Sequence, residues 1–179
     1  MNTLIDNLTL RPLNSEDTAR FFDLLDRNRA HLTDYFPQTI ATVINLQACT
    51  DYIHKKMEEE AEKDCYCFVL EDESGGLQGY ITIKNIDWTV PKCELAYFID
   101  KDHKGRGIMS NALSAVVAHC FNDLQMNKVY LITALDNHPS RKLAEKTGFE
   151  VEGILRNNFK LSSGALVDMA YYGILAKKD

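Results

Sequence analysis

The chain has no surplus of positive charge, no long apolar run and no cysteines at metal-binding spacing, and each absence removes a class of function. Its 20 Lys and Arg are outnumbered by 26 Asp and Glu, for a net charge of −6 over 179 residues. An extended nucleic-acid footprint needs a basic face, and an anionic membrane surface repels an acidic protein, so neither is expected as a partner. No apolar stretch approaches the length of a membrane span. The start, Met1 to Asp6, lacks a basic segment followed by an apolar run, so no secretion signal is expected. Cys49, Cys65, Cys67, Cys93 and Cys120 are odd in number and nowhere spaced CxxC. They predict no metal site and several free thiols, which fits a reducing, cytoplasmic location. Cys65 and Cys67 would share one face of a strand, the pattern of packing.

There is also no low-complexity linker, internal repeat or break in composition, so residues 1–179 are expected to form one domain. What is present is ordinary for such a domain, with 45% apolar and 26% charged residues. Leu8 to Leu13 alternates like a first strand, and Asn14-Ser15-Glu16-Asp17 offers capping chemistry for a helix burying Ala19, Phe22, Leu24 and Leu25. A short second helix is expected from Asn28 to Phe36, closed by Pro37, and a third from Leu46 to about Lys63. The third would turn Tyr52, Ile53, Met57 and Ala61 inward and leave Glu58-Glu59-Glu60 in solvent. Strand character follows at Cys65–Leu70, Gly79–Lys84 and Cys93–Asp100. Ile108 to Leu124 keeps an unbroken i, i+3, i+4, i+7 apolar rhythm through Met109, Ala112, Leu113, Val116, Val117, Cys120, Phe121 and Leu124. Lys128–Ala134 reads as a buried strand and Asn137-His138-Pro139-Ser140 as a helix start, with Gly148 as the left-handed stop. Phe149–Leu161 and Leu166–Leu175 close the chain as strands around Ser162-Ser163-Gly164. The class is α+β.

Two segments carry chemistry. At the junction of the Cys93–Asp100 strand with the long helix lies Lys104-Gly105-Arg106-Gly107-Ile108-Met109. Free backbone N–H groups and the positive end of the helix converge there, and glycines let an anion approach the backbone. Lys101, His103, Lys104 and Arg106 add positive charge in an otherwise acidic chain. Met109 and Ser110 break a G-x-G-x-x-G dinucleotide pattern, and no G-K-[ST] follows to make a Walker A loop. Taken alone, the glycines are better explained by a tight turn that merely needs small residues. The second segment, Asn137-x-x-Ser140, follows a buried strand, where α/β sheets present ligand-binding groups. Plain helix capping accounts for these two residues as well.

Together the two segments resemble the GNAT superfamily of acetyl-CoA-dependent N-acetyltransferases. That family binds the CoA pyrophosphate with a Q/R-x-x-G-x-G/A turn; here lysine stands first and methionine last. Glu94-Leu-Ala-Tyr-Phe-Ile99, His103 to Met109, Asn137-x-x-Ser140, Lys146 to Gly153 and Asp168-x-x-x-Tyr172 are similar to the RimJ/RimL group, which includes ribosomal-protein N-terminal acetyltransferases. The resemblance covers almost the whole chain. It implies a mixed, mostly antiparallel sheet of about seven strands with a central splay, flanked by helices. It also implies acetyl-CoA as cosubstrate, bound by Tyr97, Phe98, Ile99, Lys104, Gly105, Arg106, Gly107, Ile108, Met109, Asn137 and Ser140. Glu94 is then the expected base. Many family members have a tyrosine acid where this chain has Ala144, which leaves Ser140 to donate to the departing sulfur. The implied acceptor is a primary amine: the N-terminal α-amine of a protein, a ribosomal protein above all, or a small amine such as a polyamine, an amino acid or an aminoglycoside. A non-catalytic acyl-CoA-binding domain is the reading from another class. Residues 16–38 and 155–168, with Tyr35, Phe36, Asn157, Asn158 and Phe159, are the expected acceptor walls, and Tyr171-Tyr172 offers either core or a homodimer interface.

Overall fold

The computed structural model describes residues 1–177. Its strands are β1 (Thr3–Ile5), β2 (Leu8–Pro12), β3 (Tyr66–Asp72), β4 (Leu77–Asp87), β5 (Lys92–Ile99), β6 (Lys128–Ala134), β7 (Glu150–Lys160) and β8 (Leu166–Leu175). Its helices are α1 (Thr18–Leu32), α2 (Pro37–Thr42), α3 (Leu46–Ala61), α4 (Ile108–Asn122) and α5 (His138–Lys146). The eight strands form a mixed sheet in the order β1-β2-β3-β4-β5-β6-β8-β7. The strand beyond the seven expected is β1, whose three residues pair antiparallel with β2, Thr3 opposite Leu10. Three residues are too few to show an alternation in sequence.

The chain divides into two compact units, residues 1–82 with 97–108, and residues 83–96 with 109–179. In the first unit, Asn14 caps the 3-10 turn Ser15–Asp17 that leads into α1, with a reciprocal capping box through Asp17. Helix α1 buries Phe21, Leu24, Leu25, Asn28 and Leu32. Ala19 is exposed and Phe22 only half-buried, so the apolar stripe is centred on Phe21 rather than on the expected Ala19–Phe22 side. No separate helix spans 28–36: α1 runs on to Leu32, and Pro37 opens α2 instead of closing a helix. Proline fits the first turn because its missing N–H has no intrahelical role there. Helix α3, capped by Asn45, buries Cys49 and Ile53, whereas Met57 and Ala61 are exposed. The stripe drifts outward along the helix because its second half extends past the core. Tyr80 is the centre of that core, packed against Phe21 at 5.1 Å and Phe98 at 5.8 Å between ring centroids.

In the second unit the buried residues Met109, Ala112, Leu113, Val116, Val117 and Cys120 follow the rhythm expected of α4. Phe121 and Leu124 are half-buried, and the helix ends at Asn122. Strand β6 pairs antiparallel with β8 over its whole length, and β8 with β7. Its pairing with β5 is parallel and short: Lys92–Lys128, Cys93–Val129 and Glu94–Tyr130. Among the described residues no helix is long and apolar enough to cross a membrane.

Asp17 is the most demanding charge in the first unit. It is fully buried, and Arg11 grips it with two 2.7 Å bonds, while Arg20 reaches it from the next turn of the helix. Burial alone would raise its pKa, but the Arg11 bond and the Asn14 N–H outweigh this and hold it below the usual carboxylate range. Removing one partner of such a group leaves the others uncompensated. Asp17→Asn is therefore expected to cost about 3 kcal/mol of stability, read from the urea midpoint at constant m-value.

Candidate active site

The anion-binding half of the expected site starts at a carboxylate. Asp100 follows the last residue of β5 and is buried. Arg27 Nε donates to its Oδ2 at 2.6 Å and Asn28 Nδ2 to the same oxygen at 2.7 Å. Asp100 Oδ1 caps the 3-10 turn Lys101–His103 by accepting from the Asp102 N–H at 2.9 Å. Asn28 Oδ1 completes the clamp by accepting from the Lys101 N–H at 3.0 Å. One helical turn of α1 thus fixes the point where the strand becomes the glycine turn. Burial opposes ionisation of Asp100, yet the Asn28 and Arg27 donors overcome it and bring its pKa down to about 2.

Beyond the clamp, Gly105 and Gly107 have φ of +77° and +80°, a backbone region costly for any residue with a Cβ. A Cβ built on either glycine meets nothing within 4 Å. The glycines answer to backbone conformation, and the surface over them is open. Lys104, Gly105 and Arg106 are exposed, whereas the Ile108 and Met109 side chains are buried. The methionine in place of a small residue therefore does not cover the turn. The cations are partly engaged: Lys104 Nζ lies 2.8 Å from His31 Nε2, and Arg106 Nη2 donates to the Asp102 carbonyl at 3.0 Å. Burial, with the neighbouring Lys104, lowers the His31 pKa, so the imidazole is neutral and accepts from the lysine. Ahead of the clamp, Phe98 turns its side chain into the core, 5.2 Å from Phe36 between ring centroids. Tyr97 and Ile99 are half-buried.

The second unit holds the expected base and leaving-group residues. Glu94 is almost buried, 9% exposed. Its Oε2 accepts from Asn85 Nδ2 at 2.7 Å and its Oε1 is 3.2 Å from Lys84 Nζ. It is also the last residue of β5 in the ladder with β6, opposite Tyr130. Backbone groups of β5 beyond it are released from that ladder, which is the local form of the expected splay. Asn137 caps α5, its Oδ1 accepting from the Ser140 N–H at 3.3 Å. The capping role is thus filled, and Ser140 itself is half-buried on the first turn. Helix α5 is tied to β8 through Tyr172, fully buried, which accepts from Arg141 Nε at 3.2 Å and donates to Glu145 Oε1 at 2.9 Å. Ala144 is completely buried; Lys142 and Lys146 are exposed. Asp168 Oδ1 accepts from the Asn157 N–H at 2.8 Å, at an irregularity in the β7–β8 ladder.

An open, positively charged turn with two left-handed glycines at a helix start can take a phosphate group, and a carboxylate beside a released strand can take a proton from an amine. The family model for the acetyltransferase (GNAT) domain matches residues 7–150. The chain belongs to the GNAT acetyltransferase family. The putative ribosomal N-acetyltransferase YdaF of Bacillus subtilis is 33% identical over 104 residues, 58% of this chain and 56% of YdaF. Spermidine N(1)-acetyltransferase of Vibrio cholerae is 28% identical over 96% of this chain and 94% of its own length. The solved structure of RimL, the ribosomal L7/L12 α-N-protein acetyltransferase in complex with coenzyme A, superposes with a TM-score of 0.91 at 19% identity and covers 100% of both chains. The GNAT fold expected from the motifs is therefore observed, and this GNAT chain is an N-acetyltransferase with RimJ/RimL-type proteins among its relatives and structural neighbours.

Lys84, Asn85 and Tyr130 around Glu94, and Asn28 at the turn, were not singled out by motif. Asn28 carried a signal, a polar residue inside an apolar helical stripe; the others become neighbours of Glu94 only through pairing. The Asp100 clamp makes stability sensitive to acid. Because the folded pKa lies below the unfolded one, its contribution is complete above about pH 4 and is lost as pH falls toward 2. Asp100→Asn is expected to lose about 2 kcal/mol at neutral pH and to flatten the stability profile between pH 4 and 2, as measured by denaturation at a series of pH values.

Proposed function

We propose that residues 1–179 act as one acetyl-CoA-dependent acetyltransferase domain whose acceptor is the N-terminal α-amine of a protein, a ribosomal protein above all. The observation that carries the cosubstrate is the glycine turn, whose open backbone suits a pyrophosphate. Lys104, Gly105, Arg106, Gly107, Ile108 and Met109 hold it, with Asn137 and Ser140 binding along the pantetheine arm and the backbone of Tyr97, Phe98 and Ile99 pairing with it. Acetyl-CoA, when bound, supplies a thioester as acyl donor. Glu94 takes the proton from the acceptor ammonium, directly or through a water, so that the amine attacks uncharged. Backbone N–H groups of Tyr97 to Ile99 stabilise the oxygen that gains charge. The Ser140 hydroxyl donates a hydrogen bond to the sulfur as it leaves.

A second reading, a small amine of the polyamine type, is favoured by the spermidine N(1)-acetyltransferase relative, which matches nearly end to end. The YdaF match covers just over half of each chain. Turnover of acetyl-CoA with peptides bearing a free N-terminal α-amine, set against spermidine, decides between them. The peptides are expected to be preferred. Spermidine turnover alone would replace the first reading with the second, and tight CoA binding without turnover on any amine would leave only a CoA-binding domain.

Two variants test the machinery. Gly107→Ala forces a Cβ into the left-handed region at a cost of about 1 kcal/mol and should weaken CoA binding at least about tenfold in titration calorimetry. Glu94→Gln should lower kcat by about a hundredfold or more while leaving KM for acetyl-CoA unchanged. An unaltered rate would remove Glu94 from the proton transfer.

A further inference from the structure

The surroundings of Glu94 contain a residue that no motif accounts for. Asn85 lies inside β4, two residues before the strand ends at Asp87, yet its φ is +49°, which is left-handed backbone. Asparagine tolerates that conformation better than most residues, but glycine tolerates it best. Conformation alone therefore does not call for asparagine here. The side chain supplies the missing reason. Its amide Nδ2 donates to Glu94 Oε2 at 2.7 Å. Tyr130 lies beside the same carboxylate, and its hydroxyl is pushed up to about 12 by burial and by the charge of Glu94. Tyr130 is itself held, paired across the ladder from Glu94 and stacked on Tyr171 with ring centroids 4.9 Å apart.

The geometry points to Asn85 as the residue that positions Glu94 for proton transfer, an inference that rests on the reading of Glu94 as base. The two donors on the carboxylate differ in kind. Lys84 Nζ sits 3.2 Å from Oε1 on a long, half-exposed side chain with many rotamers. Asn85, itself exposed, is short and carries no charge. It fixes the rotamer of the carboxylate without neutralising it. A carboxylate oxygen accepts at two lone-pair sites. The amide occupies one on Oε2 and leaves the other for the acceptor's N–H or for a bridging water. The left-handed backbone at Asn85 is what aims so short a side chain at the neighbouring strand.

Conformation and amide can be separated by substitution. Asn85→Gly keeps the backbone and deletes the donor, and Asn85→Asp keeps the side-chain size but sets a second carboxylate against Glu94. Each is assayed with acetyl-CoA and whichever acceptor turns over, the N-terminal peptide or spermidine. Both variants should lose about tenfold to a hundredfold in kcat, because a misplacement of about 1 Å at a reacting group costs that much. KM for acetyl-CoA and the calorimetric affinity for CoA should stay within about twofold, since the turn that binds it is untouched. In a Glu94→Gln background, Asn85→Gly should cause no further loss, because the two act as one unit. Wild-type kcat in Asn85→Gly or in Asn85→Asp would overturn the inference and leave Asn85 as a bend in β4. Additive losses in the double variant would overturn it too. If Glu94→Gln alone leaves kcat unchanged, the base reading falls and takes this one with it. If Glu94→Gln is slow and Asn85→Gly is not, the positioning role alone falls.

Discussion

A buried carboxylate at the end of β5 holds the most chemically telling part of this chain in place. Asp100 cannot stay ionised in the interior without donors, and α1 supplies them through Arg27 and Asn28 while the 3-10 turn supplies a third through its backbone. The energetic demand of one charge therefore couples helix, strand and turn. Everything that makes the glycine turn suited to an anion follows from where this clamp releases the chain. The two glycines then swing through left-handed conformations and expose their N–H groups at the start of α4.

The other half of the chemistry uses the same economy of means. A three-residue parallel ladder brings Glu94 opposite Tyr130 and then lets the strands part. A strand in an uninterrupted ladder has no N–H to offer a ligand or a developing oxyanion. The β5–β6 pairing thus ends at a side chain able to move a proton. On α5 the Asn137 Oδ1 caps the helix, which shapes the first turn and presents Ser140. Tyr172 and Arg141 pin the helix to β8, so the presentation is rigid. A serine hydroxyl is a weak acid, and Ala144 is buried, so a hydrogen bond to the sulfur is the modest role proposed for Ser140.

Acceptor choice is a separate matter from cosubstrate choice. Relatives named for ribosomal proteins and for spermidine both match this chain. A thioester site must fit one ligand in one way, whereas the surfaces that receive an acceptor have freedom to vary. Tyr35 is exposed and Phe36 is half-buried against Phe98. Asn157 has its N–H committed to Asp168.

Local signals determined most of the elements: the i, i+3, i+4, i+7 rhythm of α4, the apolar run of β6, and the Asn137 cap, Pro139 and Gly148 that bound α5. The glycines at 105 and 107 were legible for the same reason, since their φ values are a property of the turn. Local pattern misplaced Pro37, which starts a helix or follows one with equal ease, and it misjudged Ala19, Met57 and Ala61, because the extent of a core is not a property of one helix. The family resemblance named Glu94 as base, but its partners could not be read in sequence. Asn85, Lys84 and Tyr130 meet it through strand pairing, and Asn28 reaches Asp100 across 72 positions of chain. Only the tertiary structure decides such contacts, because register and helix docking are set by the packing of the whole unit, not by the residues that happen to touch.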